Sequence, residues 1–499
     1  MTKTIYPASL LCDFYKVSHK DQYPEGTEFV YSTWTPRSNK YFPKADKVVT
    51  FGIQAFIKKY LINYFNEHFF NRPRNEVVEE YKRIIKFTLG QEEVDASHIE
   101  ELHELGHLPI KIRAIKEGTR VPVKVPMMTI ENTDKRFFWV TNYLETLLSN
   151  EVWLPMTSAT IAHTYRQLLD EYALKTVGAT DGVTFQGHDF SMRGMGAFEA
   201  SVASGAGHLL SFAGTDTIPA ISYHEEYYNT NIEKELVGTS IPATEHSVMC
   251  AYGDENEFEL FKHLMTNVYP KGFFSVVSDT WDFWKVIGEY LPKLKEEVMS
   301  RDGRVVIRPD SGDPVLILIG DPNGETELER KGLIECLWDI FGGTVTEKGY
   351  KLLDPHIGAI YGDSITLERA EAIVKGLEAK GFASTNVVFG IGSFTYQYNT
   401  RDTFGFAVKA THAVVNGQER MLFKDPKTDD GTKRSQRGRV AVLKTNNELT
   451  LVDGLTKEQY DGDFAELDEM EEVFCNGELL RDQSLAEIRH ILQKEKSVL

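Results

Sequence analysis

Two aspartates in this chain, Asp279 and Asp310, each close a short apolar run: Phe273–Asp279 reads FFSVVSD and Arg304–Asp313 reads RVVIRPDSGD. Carboxylates at neighbouring strand ends can hold Mg²⁺ directly or through water, with phosphate oxygens completing the shell. Arg308, two residues before Asp310, offers a planar fork for phosphate or carboxylate. The same pair equally suits an Arg–Asp salt bridge that closes a barrel layer. Gly362-Asp363-Ser364 and Gly390-Ile391-Gly392-Ser393 follow two more apolar runs, His356–Asp363 and Asn386–Ser393, and present bare backbone amides of the kind that cradle phosphate or hydroxyl groups. The second lacks the third glycine of a dinucleotide fingerprint. Glu245-His246-Ser247 places a carboxylate beside a histidine in a small-residue loop, which could tune its basicity; a lone histidine is more often structural.

These residues need a scaffold that brings strand ends together. A fifth run, Gly182–Arg193 (GVTFQGHDFSMR), has the same form of apolar strand and polar tip. Enzymes built on parallel strands gather their chemistry at the strands' C-terminal ends, although Gly and Asp are also ordinary turn formers. From about residue 180 to about 395 strand, loop and helix alternate, which predicts a parallel sheet or barrel. Ala197–Leu210 is a small-residue helix for close packing, and Thr366–Lys380 is an amphipathic helix with Leu367, Ala370, Ile373, Val374 and Leu377 on one face. Before this region, Ile53–Phe65, Phe137–Leu148 and Ser158–Val177 read as helices, Val77–Leu105 as a charged helical stretch, and Leu108–Ile130 as antiparallel strands turning at Glu117-Gly118. His98, His103 and His107 read as a solvated helix end rather than a metal site. After residue 400 strands return, with an Asn416-Gly417 hairpin signal. Gly320–Lys331 and the basic stretch Lys424–Arg439 read as surface loops. The organisation expected is an N-terminal α+β segment (1–150), an α/β barrel-like catalytic domain (151–395) and a C-terminal β-rich segment (396–499) that packs with the first.

Composition bounds the function. A chain of 499 residues calls for more than one core. A net charge of −19 argues against a non-specific nucleic-acid binder. No stretch approaches the ~18 apolar residues of a membrane span. Cys12, Cys250, Cys336 and Cys475 are scattered without metal or disulfide spacing, as suits a reduced, cytoplasmic enzyme.

Taken in order, DFYKVSH (Asp13–His19), GHLPIKI (Gly106–Ile112), HDFSMRG (His188–Gly194), GTDT (Gly214–Thr217), PATEHS (Pro242–Ser247), SVVSD (Ser275–Asp279), IRPDSG (Ile307–Gly312), GYKLL (Gly349–Leu353), Gly362-Asp363 and FKDP (Phe423–Pro426) resemble the nicotinamide phosphoribosyltransferase family of type II phosphoribosyltransferases. The resemblance implies a type II phosphoribosyltransferase-like α/β barrel domain, with a second α+β domain built from the N-terminal segment and the C-terminal strands. It implies transfer of phosphoribose from 5-phosphoribosyl 1-diphosphate to nicotinamide in NAD salvage, Mg²⁺ as cofactor, ATP as optional co-substrate, and a homodimer that shares its active sites. By the same resemblance, His246 accepts phosphate from ATP beside Glu245. Phe190 stacks on the pyridine ring, and Tyr15 of a second subunit covers its other face. Asp216 holds the carboxamide near Ser275. Arg193 and Arg308 serve the nicotinamide and phosphate sites. Asp279, Asp310, Gly362, Asp363 and Gly392 surround ribose, diphosphate and metal. Arg37, Arg401, Lys409 and Lys424 grip diphosphate. An ionised Asp216 accepts an amide N–H and repels a carboxylate, which favours nicotinamide over nicotinate. Ala407, Ser364, Ile241 and the glycine-poor Gly390–Ser393 loop depart from the family pattern. The rival expectations are the same chemistry on nicotinate, a sugar-phosphate hydrolase or isomerase on a TIM-like barrel, and a binding protein without catalysis.

Overall fold

The run Thr27–Thr35 (TEFVYSTWT) is rich in β-branched and aromatic residues, which suit a pleated, buried surface. In the computed structural model, which describes residues 6–424 and 435–494, it forms an interior strand of a seven-stranded sheet. Residues 425–434 of the basic loop, including Asp425 and Pro426, lie outside the described residues. The chain divides into two units: Met1–Thr160 with Tyr223–Thr230 and Asn399–Leu499, and Ile161–Ser222 with Asn231–Tyr398.

In the first unit Thr27–Thr35 pairs antiparallel with Ala407–Val415 on one side and Met128–Asn132 on the other. Ile110–Ala114 and Glu471–Cys475 extend the sheet beyond Met128–Asn132. N-terminal and C-terminal strands therefore build one sheet and one core, in which Trp34 stacks on Phe406 at 5.1 Å. Asn416 and Gly417 turn the hairpin to Gln418–Met421 with φ of 50° and 73°, the left-handed pair that a two-residue hairpin loop demands.

Several expectations change here. The chain does turn at Gly118, but Ile110–Ala114 pairs with Met128–Asn132, while Arg120–Pro122 pairs with Lys47–Val49. The charged helical stretch is two helices, Arg74–Leu89 and Ser97–Leu105, divided at a left-handed Gly90. His98 is not solvated. It packs edge-on against Tyr81 and Trp139, and burial pushes its pKa down to about 4. Glu145–Thr176 is one 32-residue helix running through Pro155. The ring removes one helical N–H, but Val152, Leu154, Met156 and Ala159 on either side are buried, so tertiary packing carries the helix past it. Gly320–Lys331 contains a short helix, Glu327–Lys331, closed by a capping box between Thr326 and Glu329.

The second unit holds a six-stranded parallel sheet in the order Gly214–Thr215, Gly187–Asp189, Val387–Ile391, Ile357–Tyr361, Val305–Arg308, Phe274–Val277. Segment 239–244 bonds to both of its edges. Thr239 bridges Gly214, and Ala243 bridges Ser275, each in parallel sense. The sheet thus closes on itself through one irregular connection. The helix Phe198–His208 needs its small residues, since a Cβ on Gly205 would lie 3.1 Å from Asp189 Oδ2 and from Thr217. Thr366 caps the helix Leu367–Ala379, which buries Leu367, Ala370, Ile373, Val374 and Leu377. Every strand of this sheet points its C-terminal end at one rim.

Candidate active site

At one corner of the rim the strand Gly187–Asp189 delivers Phe190, and Gly214–Thr215 delivers Asp216. Together with Met192, Arg193, Met195, Ala197, Phe198 and Ser201 these two line a cavity of about 540 Å³. Asp216 Oδ1 accepts from His188 Nε2 at 2.8 Å and from Ser240 Oγ at 2.7 Å. Burial raises this carboxyl, but the hydrogen bonds and charge of His188, with help from Ser240 and Arg308, outweigh it and leave the pKa below the ordinary value. Phe190 packs at 4.8 Å from the His188 ring. Gly390 makes room for it, since a Cβ there would stand 2.6 Å from the phenyl ring. Ser275, inside the strand Phe274–Val277, is buried with a hydroxyl that has no hydrogen-bond partner among the described residues.

At the other corner stand Asp279, Arg308, Asp310 and His246. Asp279 Oδ2 accepts from the backbone N–H of Asp310 and Ser311 and from the Ser311 hydroxyl, at 2.5–2.9 Å. Its Oδ1 is buried and accepts none among the described residues. Arg308 Nε lies 3.3 Å from Asp310 Oδ1, and its Nη2 donates to the Thr244 carbonyl at 2.7 Å. The salt bridge expected as an alternative is therefore present, but it does not neutralise the site. Burial raises the Asp310 pKa, Arg308 lowers it, and Asp279 raises it further. Gly362 leaves room for this carboxylate, since a Cβ there would fall 2.1 Å from Asp310 Oδ1 and displace it. His246 is half exposed. Its Nε2 lies 3.8 Å from both Asp279 Oδ1 and Asp310 Oδ2, and its Nδ1 is 3.1 Å from Thr280 Oγ1. Glu245 accepts from the Ser247 hydroxyl, so the groups set about the imidazole are Thr280 and the two aspartates rather than Glu245.

The two free carboxylate oxygens fit a hard cation. Among the described residues there is no group of three or more His, Cys, Asp or Glu able to hold a metal. Mg²⁺ takes one or two carboxylates and fills its shell with water and substrate phosphate. Asp363 and Ser364 continue the rim from Ile357–Tyr361, with Ser364 at φ 52°. A Cβ on Gly392 would meet open space, so that glycine leaves room beside the rim.

The remaining expected residues belong to the first unit. Lys409 sits in the strand Ala407–Val415, and its pKa is lowered by burial and by Arg37, Lys424 and Arg401, with Glu145 opposing. These four cations form one electrostatic cluster, as an anion grip requires. Ala407 is buried on that strand and offers no hydroxyl. Tyr15 is exposed, with Lys16 5.0 Å over its ring. Sequence reasoning assigned no role to His188, Ser240 or Thr280. His188 lies within a stretch it singled out, Ser240 stands two residues before Pro242–Ser247, and Thr280 directly follows Asp279, so adjacency to those stretches was the available signal.

Residues 8–112 match the family described as nicotinamide phosphoribosyltransferase, N-terminal domain, and residues 185–478 match the nicotinate phosphoribosyltransferase (NAPRTase) family. The chain is 52% identical over 494 residues to a nicotinamide phosphoribosyltransferase of Acinetobacter baylyi, covering 97% of this chain and 96% of that one. It is 34% identical to a nicotinamide phosphoribosyltransferase of Xanthomonas campestris pv. campestris, covering 96% of each. In fold it is similar to nicotinate-nucleotide pyrophosphorylase from Pyrococcus furiosus, with TM-score 0.57, 15% identity and coverage of 100% and 98%. It is also similar to human nicotinic acid phosphoribosyltransferase, with TM-score 0.53, 16% identity and coverage of 98% and 94%.

Proposed function

The chain belongs to the nicotinamide phosphoribosyltransferases within the NAPRTase family, and from that premise we propose how its rim performs the reaction. The enzyme is a pentosyltransferase of NAD biosynthesis that joins nicotinamide to 5-phosphoribosyl 1-diphosphate, giving nicotinamide mononucleotide and diphosphate. The pyridine nitrogen carries a free lone pair, so attack on C1 of the ribose needs no general base. The demanding event is departure of diphosphate as positive charge develops on the sugar ring.

Phe190 stacks on the pyridine ring in the 540 Å³ cavity, and Asp216 accepts the carboxamide N–H through its second oxygen. The buried Ser275 hydroxyl and Arg193 complete the amide end, and Arg308 serves the phosphate side. Asp279 and Asp310 would hold Mg²⁺, which when bound supplies positive charge to the leaving diphosphate. Gly362, Asp363 and Gly392 border the ribose. In this reading Arg37, Arg401, Lys409 and Lys424 grip diphosphate, and Tyr15 covers the pyridine from the second subunit of a homodimer, as the sequence resemblance implies. His246 is the acceptor for the ATP γ-phosphoryl group: a half-exposed imidazole held by Thr280 and facing two carboxylates. Phosphorylation there adds driving force and is optional for the transfer.

The observation that carries this reading is Asp216, ionised and held at one oxygen, beside Phe190. The test is mononucleotide formation from nicotinamide and from nicotinate with Mg²⁺ and phosphoribosyl diphosphate, for wild type and His246→Ala, with and without ATP. Preference for the amide, with an ATP enhancement confined to wild type, is expected. Turnover of nicotinate alone overturns the Asp216 reading, and an equal ATP response in His246→Ala overturns the phosphohistidine.

A further inference from the structure

The strand Gly187–Asp189 has a glycine from each flanking strand in register with His188: Gly214 on one side and Gly390 on the other. Neither position tolerates a side chain. A Cβ on Gly214 would stand 2.7 Å from His188 Nδ1, and one on Gly390 2.6 Å from the Phe190 ring. Both glycines therefore clear space for an imidazole and a phenyl ring that pack on each other. The nearly buried imidazole is directed at Asp216. A carboxylate only accepts, so His188 carries its proton on Nε2 and donates. Ser240 donates to the same oxygen from segment 239–244, the connection that closes the sheet. Two donors fill the lone pairs of Oδ1. Oδ2 accepts no hydrogen bond among the described residues, although it belongs to a group lining the cavity.

We propose that His188 and Ser240 are positioning residues that lock the Asp216 carboxylate by one oxygen and so aim the other at the substrate carboxamide, setting the preference for amide over acid. The inference rests on the reading of Asp216 as the amide acceptor. With either donor removed, the carboxylate turns about its Cβ–Cγ bond and Oδ2 no longer holds one direction. Hydrogen bonds to a charged acceptor are worth enough for about a tenfold effect each.

The experiment measures kcat and KM for nicotinamide and nicotinate in wild type, Asp216→Asn, Ser240→Ala, His188→Leu, His188→Gln and the double variant His188→Leu/Asp216→Asn, with thermal melts to confirm folding. His188→Leu is expected to raise the nicotinamide KM about tenfold, with a much smaller change in kcat, and to lower the amide-to-acid ratio by a similar factor. Ser240→Ala is expected to move the ratio in the same direction. The glutamine variant places an amide nitrogen near the position of imidazole Nε2 and is expected to recover most of the loss. In the Asp216→Asn background the leucine substitution is expected to leave the ratio unchanged. If Asp216→Asn shifts the ratio and the His188 and Ser240 variants do not, the positioning role falls while the Asp216 reading stands. If His188→Leu lowers kcat equally for both substrates and glutamine fails to rescue it, the residue is structural only. An unchanged ratio in Asp216→Asn removes the premise itself.

Discussion

The two corners of the rim solve the same electrostatic problem in opposite ways. At the Asp216 corner the protein supplies the complement to the charge. One oxygen takes two donors, and against burial His188, Ser240 and Arg308 together leave the carboxyl titrating below its ordinary value. At the Asp279–Asp310 corner the complement is incomplete. Asp279 keeps a buried oxygen without a donor, and burial with Asp279 nearby lifts Asp310 despite Arg308. In the proposed reading the first corner is a finished reader of a neutral group. The second is left short of positive charge, as a site is when its substrate arrives with a cation.

The comparison breaks most visibly through Asp310→Asn. Turnover is expected to fall by about 10²–10³, the scale of losing one electrostatic contact to a leaving group. Stability is expected to move the other way. The folded pKa of Asp310 is raised above 3.8, so its contribution to stability is full below 3.8 and is lost as pH rises through the raised value. Once the pH stands above that raised value and no Mg²⁺ is bound, that contribution has gone, and asparagine is expected to raise the melting temperature. A lower melting temperature would show that the corner is not short of positive charge. Asp216→Asn carries the opposite sign. Its pKa is lowered, so its stabilisation is present above 3.8 and lost as pH falls through the depressed value. Asparagine is expected to lower the melting temperature slightly at pH 7 and to reduce the preference for nicotinamide over nicotinate by roughly 10–100-fold, read by competition between the two substrates.

How much of this was legible in the sequence depends on the range of the interaction. The helix Leu367–Ala379 buries the five apolar residues picked out by their spacing, because a 3.6-residue period is local. The polar tips were legible for the same reason, since each directly follows its apolar run. The partnership of His188 with Asp216 was not, because it depends on which parallel strands are neighbours, and no local pattern encodes the register of Gly187–Asp189 against Gly214–Thr215. His98 misled because a charged helix end looks solvated until Trp139 folds over it. The cations around Lys409 became one cluster only when Ala407–Val415 lay beside Thr27–Thr35. The sequence pattern reads as two helices, Phe137–Leu148 and Ser158–Val177, and only the packing of buried neighbours shows why Glu145–Thr176 runs unbroken through Pro155.

A third carboxylate sharpens the contrast. Glu257 is buried and its Oε1 has no hydrogen-bond partner among the described residues. Burial pushes its pKa up to about 7, with Lys285 pulling it down and Asp282 and Asp254 pushing it up. Its stabilisation is full below 4.5 and is lost as pH rises through about 7. Between pH 6 and pH 8 the melting temperature is expected to drop by on the order of 3 °C, and Glu257→Gln is expected to flatten that drop. Mg²⁺ is expected to stabilise the Asp310 corner and to leave the Glu257 dependence as it was. If Mg²⁺ abolishes both, the distinction between burial alone and burial awaiting a cation fails.

The smallest effect concerns the loop that follows Gly362 on the rim. Ser364 holds φ at 52°, a left-handed conformation that costs an L-residue roughly 1–2 kcal/mol. Glycine adopts it freely but costs about 0.5–1 kcal/mol in unfolded-chain entropy. The carbonyl of residue 364, which accepts from Arg369 Nη1, is backbone and survives the change. Ser364→Gly is therefore expected to be neutral to stabilising, by less than about 1 kcal/mol, in a denaturant melt. Its effect on the KM for phosphoribosyl diphosphate separates two roles for the serine. An unchanged KM means the serine is only a strained substitute for glycine. A raised KM means the strain holds Asp363 in place, and the second corner is then stiffened from the loop side just as the first is stiffened by His188 and Ser240.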